Sequence, residues 1–261
     1  MPESIILYLQ AVNTASLPEF PGRLLHAAFF QLLHACSPQL SAAIHDNMQA
    51  KPFSISLLTS PRKKRKQHGR WQFVTGEQFS WRINALTPEV YAAVSTIQAS
   101  DSFNIGALAV TVVSVSADTP GQNLLPWLNA PEKVREIQFH FHTPVSFRKD
   151  KYDYPIPQPA LIFASLADKW NSVGMTPVIN KEELRILAEQ ILPRDWQGKT
   201  AKVYFAKDRG MLAFTGDFRF ALQQLKPEQR TPLLRLAHFA CYAGVGRLTT
   251  QGFGQTTVDF I

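Results

Sequence analysis

The chain is short of cysteine, of acid and of long apolar runs, and each shortage removes a class of function. Only two cysteines, Cys36 and Cys241, occur in 261 residues, and both lie in apolar, helix-like segments. They make no metal-ligand spacing, which fits a reducing, intracellular compartment. No apolar run reaches the length of a membrane span. Ile5–Val12 is also too short for a signal core, and no basic stretch precedes it. A cytoplasmic protein without a membrane partner is expected. The 20 acidic residues are outnumbered by 27 lysines and arginines and are scattered along the chain. Metal-dependent nuclease chemistry needs grouped carboxylates, so it is disfavoured, and no metal or cofactor is expected. At 45% hydrophobic and 18% charged residues, the composition is that of a folded chain with a real core.

What is present is unevenly placed. Between Lys51 and Arg82 stand eight basic residues against the single acid Glu77, which equals the net charge of +7 for the whole chain. The remainder balances. Arg62, Lys63, Lys64, Arg65 and Lys66 form the centre of this segment, with Arg70 close behind. A concentrated positive field attracts polyanions over about a Debye length and points to nucleic acid. Trp71, Phe73 and Trp81 alternate with polar positions after the run. Such aromatics can stack bases, but a stripe of this kind is expected in the core.

A second concentration lies near the C-terminal end. Residues 242–254 read YAGVGRLTTQGFG, with Gly244, Gly246, Gly252 and Gly254 set around Arg247. Glycine admits positive φ and close backbone approach, and exposed N–H groups in such a turn can cradle an anion. The stretch fails as a P-loop, because Phe253 follows Gly252 where lysine is required. It fails as a dinucleotide loop, because Thr249 takes the place of the third glycine and a helix precedes it. A phosphate outside the usual nucleotide cofactors is the expected neighbour.

Periodicity predicts a strand at Ile5–Val12, helices at 23–36 and 38–44, strands at 53–58 and 70–83, a helix opened by Thr87-Pro88, and a strand at 108–116. After a proline-containing stretch the order begins again. It runs through a strand at 136–147, helices at 159–171 and 181–192, strands at 202–206 and 210–218, a helix at 231–242 and a strand at 256–261. Two consecutive β-α-β-β-α-β units predict an α+β protein of tandem ferredoxin-like (RRM-like) domains. The expected division is 1–118, a linker at 119–134, and 135–261.

Four segments, in this order, resemble those of the CRISPR-associated endoribonuclease family Cas6, of the RAMP superfamily. Residues 45–56, HDNMQAKPFSIS, are similar to the family's first-domain segment. Residues 141–148, FHTPVSFR, resemble the strand that opens its second domain, and residues 159–171, PALIFASLADKWN, the helix that follows. Residues 244–254 resemble its glycine-rich signature. The resemblance implies a metal-independent endoribonuclease that cuts CRISPR precursor RNA within its repeats to release crRNA. The 2′-hydroxyl attacks, leaving a 2′,3′-cyclic phosphate and a 5′-hydroxyl. The implied partner is CRISPR repeat RNA, with other subunits of a CRISPR complex as further partners, for a monomer or homodimer. The alternative is a non-catalytic RNA-binding subunit of such a complex.

The resemblance also implies roles. His45 is the expected general acid or base, since histidine can serve either role near neutral pH, and Lys51 the expected stabiliser of the phosphorane. The basic residues 62–66 and Arg70 would hold RNA backbone. Arg148, Lys149 and Lys151 would line the cleavage groove. Gly244, Gly246, Arg247, Gly252 and Gly254 would form an RNA-facing wall. The first helix offers Phe29 and Phe30 where some relatives place a tyrosine, so a tyrosine relay is not expected there. His26 lies at the edge of that helix's apolar face and His34 nearly opposite it; both compete with His45 as RNA-facing residues that could share the catalytic role, but solvated positions are expected for both. His140 and His142 share one face of a strand, but no nearby ligand set completes a metal site.

Overall fold

The computed structural model describes residues 2–46, 50–61, 65–206 and 209–261. The chain forms two compact units. The first comprises Met1–Asp118 with Tyr204–Arg209 and Thr250–Gly252, and the second comprises Thr119–Val203, Gly210–Thr249 and Phe253–Ile261.

The first unit contains strands β1 (Glu3–Ala11) and β2 (Ala15–Pro18), then helices α1 (Gly22–Cys36) and α2 (Pro38–Asp46). Strands β3 (Phe53–Ile55), β4 (Arg65–Gln67), β5 (Arg70–Phe73) and β6 (Gln78–Ala85) follow. Helix α3 (Pro88–Val94) and strands β7 (Ser102–Ile105) and β8 (Leu108–Asp118) complete it. Its main sheet has the order β3-β6-β1-β8-β7, with antiparallel neighbours throughout. Without β7 this is the ferredoxin-like order, and β7 is an added edge strand. Alternation places Ile5, Leu7, Leu9 and Ala11 of the central strand on one face, all buried. Leu25, Phe29 and Leu33 of α1 and Val90 and Val94 of α3 join them in one core. Trp81 is fully buried there, its indole N–H donating to Ser56 O at 3.1 Å. Burial of each such side chain is worth roughly 1.5–3 kcal/mol. β2, β5 and β4 form a small separate sheet.

A buried polar ladder runs across the main sheet. Ser4 Oγ donates to Asn84 Oδ1 at 2.6 Å, and Asn84 Nδ2 donates to Ser54 Oγ at 2.8 Å. It ties β1, β6 and β3 together at the end of the sheet from which the Lys51 segment enters, and it satisfies groups that would be costly to bury unpaired.

The second unit begins with a short helix, α4 (Leu125–Leu128), and continues through β9 (Glu136–Val145), β10 (Phe147–Lys149) and β11 (Tyr152–Tyr154). Helices α5 (Pro159–Ser172) and α6 (Lys181–Glu189), strands β12 (Leu192–Ala206) and β13 (Arg209–Ala221), helix α7 (Pro227–Ala243) and strand β14 (Thr256–Phe260) follow. The sheet order β12-β13-β9-β14 again is ferredoxin-like. Ile137, Phe139, Phe141 and Val145 of β9 point to the core. There Phe139 meets Phe163 of α5 edge-on at 6.0 Å, and Trp170 of α5 meets Phe239 of α7 at 5.3 Å. The tandem ferredoxin-like architecture is therefore present. No helix among the described residues is long and apolar enough to cross a membrane.

Candidate active site

Within the first unit, the sequence places two histidines around one phenylalanine. Phe30 lies one turn after His26 on α1, at the i, i+4 spacing that brings side chains together. Its ring meets His26 edge-on at 5.1 Å, and meets His45 edge-on at 5.6 Å. His45 stands in the last turn of α2. Phe53, the first residue of β3, backs the arrangement: it stacks on His26 at 5.9 Å and on Phe29 at 3.8 Å.

The two imidazoles have different environments. His26 is half-buried, and its Nδ1 lies 2.9 Å from Thr250 O. A carbonyl oxygen only accepts, so Nδ1 carries the hydrogen and the neutral ring presents Nε2 as a lone-pair acceptor. Burial lowers the His26 pKa below 6.5. The Thr250 hydrogen bond opposes that shift, while the positive charges of Lys51, His45 and Arg23 reinforce it. His45 is open to solvent, with 74% of its side chain exposed, and its Nδ1 lies 3.3 Å from Asp46 Oδ1. Lys51 secures the end of α2. Its Nζ donates to Ile44 O, and also to His45 O at 2.9 Å. Cations favour the carbonyl end of a helix, so Lys51 both fixes the segment carrying His45 and brings positive charge beside the histidines. One half-buried neutral imidazole, one exposed imidazole and one ammonium are a set suited to moving protons around a phosphate.

From sequence His26 is a competitor of His45 but is expected to be solvated. It is not a solvated surface position, and what distinguishes it is the contact with the glycine-rich stretch. His34 is exposed, as expected.

The remaining expected residues fall in several places. Arg62, Lys63 and Lys64 lie outside the described residues, and Arg65 opens β4. Lys66 pairs with Glu19 at 2.7 Å and lies over the Trp71 ring at 5.9 Å. Arg70 donates from Nε to Ser16 Oγ at 3.0 Å and from Nη2 to Ser16 O at 2.9 Å. Phe73 and Trp81 are core residues, and Trp71 is packed against the core. In the second unit Arg148, Lys149 and Lys151 are exposed on the β10–β11 hairpin. Arg148 Nε donates to Asp150 O at 3.2 Å, and Lys149 lies over Tyr154 at 5.2 Å. Arg247 pairs with Asp153.

Much of the glycine-rich backbone turns inward. Gly244, Gly252 and Gly254 are buried, and Gly246 is partly exposed. Val245 N donates to Gly254 O, Arg247 N to Ser146 O and Gly254 N to Pro144 O, at 2.9–3.0 Å. A Cβ on Gly254 (φ 61°) would stand 1.9 Å from Val245 O, and one on Gly246 (φ 76°) 2.5 Å from Ser146 O. Close backbone packing at positive φ is what requires glycine at both positions. Lys169 of α5 reinforces this stretch, donating to Ala243 O at 2.8 Å and Thr249 Oγ1 at 2.7 Å. Desolvation brings its pKa down to about 7.

His140 and His142 do not form a metal pair. His140 is clamped between Asp217 at 2.8 Å and Asp259 at 2.9 Å, and His142 Nε2 meets Thr257 Oγ1 at 2.7 Å. No cluster of three potential ligands occurs among the described residues.

Two family models divide the chain between them. The CRISPR Cas6 N-terminal domain matches residues 1–135, and CRISPR-associated endoribonuclease Cas6 matches residues 139–256. The chain belongs to the Cas6 family. It is an endoribonuclease of CRISPR RNA processing. A Cas6 endoribonuclease of Streptococcus thermophilus is 26% identical over 184 residues, which is 68% of this chain and 74% of the relative. A Thermus thermophilus Cas6 product complex has a TM-score of 0.76 at 25% identity, over 99% of this chain and 100% of that one. A RAMP protein described as binding different RNA substrates shares the fold at 16% identity, with a TM-score of 0.67 over 98% and 99% of the two chains.

Proposed function

We propose that this Cas6 cuts CRISPR precursor RNA within its repeats by metal-independent transesterification, with His26 and His45 as the proton-transfer pair. The observation that carries the reading is the placement of the two imidazoles around Phe30, with Nε2 of His26 left as an acceptor by the Thr250 contact. His26 takes the proton of the 2′-hydroxyl as that oxygen attacks phosphorus in line. The bond from phosphorus to the 5′-oxygen breaks, and His45 in its protonated form gives that oxygen a proton. A 2′,3′-cyclic phosphate and a 5′-hydroxyl result. The histidines exchange their surplus proton with solvent before the next turnover. Lys51 supplies electrostatic stabilisation as charge gathers on the phosphorane.

The RNA would be held by Arg62, Lys63, Lys64, Arg65, Lys66 and Arg70 of the first unit and by Arg148, Lys149 and Lys151 of the second, with the glycine-rich stretch at 244–254 as an RNA-facing wall. Backbone contacts of this kind set position without reading sequence. Support for an RNA substrate comes from the basic segment, the family, and relatives solved as product or RNA-bound complexes.

The test is incubation of the purified protein with repeat RNA in EDTA. A cyclic-phosphate product is expected, abolished in His45→Ala and His26→Ala and retained in His34→Ala. Tight binding without cleavage would instead make the protein a non-catalytic RNA-binding subunit. Cleavage that EDTA stops would overturn the metal-independent mechanism.

A further inference from the structure

A hollow of about 540 Å³ opens at the start of α1, and its lining includes Pro18, Phe20, Arg23, Leu24, Tyr204 and Phe205. All six belong to the first unit. Its volume lies within the range of small-ligand sites, roughly 300–1,000 Å³. Of these six side chains three are aromatic and one is a guanidinium. Phe20 is buried and forms part of the floor, whereas Tyr204 is 60% exposed at the rim. An exposed tyrosine facing an apolar hollow with a cation beside it offers a flat face to a ring and a charge to the group that accompanies it. The hollow shares helix α1 with the candidate active site. Arg23 lies one helical turn before His26 on α1, and its charge contributes to keeping that imidazole neutral.

An apolar small molecule would have no need of the arginine, and a simple anion would have no need of the rings. A nucleotide uses both. We propose that this hollow is a nucleobase subsite, in which one unpaired base of the bound RNA, close to the cleaved phosphate, stacks on Tyr204 while Arg23 faces the adjoining phosphate. The proposal rests on the RNA-cleaving reading of the site, and it gives that site a means of choosing where along the strand it cuts. A base drawn out of a duplex must unstack, so a nucleotide already unpaired would be preferred. Stacking is tolerant of base identity, and the preference would be for an unpaired position more than for one letter.

The test uses full-length protein and repeat RNA made uncleavable by a 2′-deoxy nucleotide at the scissile position. 2-Aminopurine is placed singly at each nucleotide flanking that position. One label is expected to be quenched on binding wild type and Tyr204→Trp, and to stay bright with Tyr204→Ala, whose RNA affinity falls about tenfold. Removing the base at that nucleotide should weaken wild type to the level of Tyr204→Ala and leave Tyr204→Ala unchanged. Tyr204 is exposed, so Tyr204→Ala should keep the wild-type melting temperature. If no label distinguishes wild type from Tyr204→Ala while cleavable repeat RNA is still cut, the subsite is overturned and the nuclease reading stands. If one label responds as expected but cleavable RNA is never cut, the subsite stands and the nuclease reading falls. Absence of RNA binding overturns both.

Discussion

In the proposed mechanism solvent sets the two histidines apart, and the difference has a signature in pH. Burial holds the His26 pKa below 6.5 against the pull of the Thr250 carbonyl, with the charges of Lys51, His45 and Arg23 adding to the depression. A general base acts in its deprotonated form, so activity through His26 survives mild acid and is lost only as pH falls through the lowered value. The acid limb of kcat/KM for repeat-RNA cleavage should therefore fall below pH 6.5, and a limb above 6.5 would contradict the assignment. Replacing His26 with alanine should slow single-turnover cleavage by about 10²–10⁴-fold, the usual worth of a positioned proton-transfer group. Two glycines provide a separate residue-scale comparison. Gly254 and Gly174 both have positive φ, but a Cβ at Gly174 meets nothing within 4 Å, whereas at Gly254 it would meet Val245 O at 1.9 Å. Gly254→Ala should destabilise the fold by about 2–4 kcal/mol, and Gly174→Ala by only about 1 kcal/mol. Equal losses in urea unfolding would remove close packing as the reason for the glycine. His45 and Lys51 could be proposed from sequence because a family-like segment brings them within a few positions. His26 could be named only as a competitor, because its defining partner Thr250 is 224 positions away and a histidine at the edge of an apolar helix face reads locally as surface.

Elements of regular alternation were legible, and those without it were not. Strands β1, β6, β8, β9 and β14 bury alternate residues and announce themselves. β12 extends over Leu192–Ala206, well beyond the 202–206 expected, because Pro193, Gly198 and a run of polar residues hide the strand signal. The β10–β11 hairpin and β7 are short and polar enough to read as connections. α7 starts at Pro227, four residues before the expected 231, because Pro232 looks like a first-turn proline but sits inside the helix. On the polar face of the second sheet, the His140 clamp joins β9 to both of its neighbours, a pairing set by strand order and not by local pattern. Burial alone would lower the His140 pKa, but the hydrogen bonds its ring donates to Asp259 and Asp217 outweigh it and raise the value above 6.5. The sign follows from linkage. Below pH 6.5 folded and unfolded chains both hold the proton, and the clamp contributes in full. Above 6.5 the folded chain holds it longer, so stability falls as pH rises through the folded-state value. The stability difference between wild type and His140→Gln should be greatest below pH 6.5 and shrink on the alkaline side. A difference independent of pH would show that the clamp acts by packing alone.

For the whole molecule, the fold class was legible because the β-α-β-β-α-β order occurs twice. The membership of Tyr204–Arg209 and Thr250–Gly252 in the first unit was not, since no local composition marks a segment that packs far from its neighbours in sequence. Charge was legible as an amount but not as a distribution of roles. Of the basic residues behind the net +7, Arg82 pairs with Asp118 at 2.8 Å and Lys66 with Glu19 at 2.7 Å, while Lys51 secures α2. The segment therefore combines structural cations with the run at 62–66. If that run contacts RNA phosphates, it does so as point charges that release counterions, and each contact adds about 0.7 to the slope of log affinity against log salt for single-stranded RNA. Changing Arg62, Lys63, Lys64, Arg65 and Lys66 together to glutamine should lower that slope by about 3.5, with the largest loss of affinity at low salt. The proton-transfer residues are untouched, so the single-turnover rate at saturating RNA should hold within about twofold while KM rises. An unchanged salt slope with a reduced saturating rate would place the run in the chemistry and leave RNA capture to other cations, for which Arg148, Lys149 and Lys151 are the next residues to neutralise.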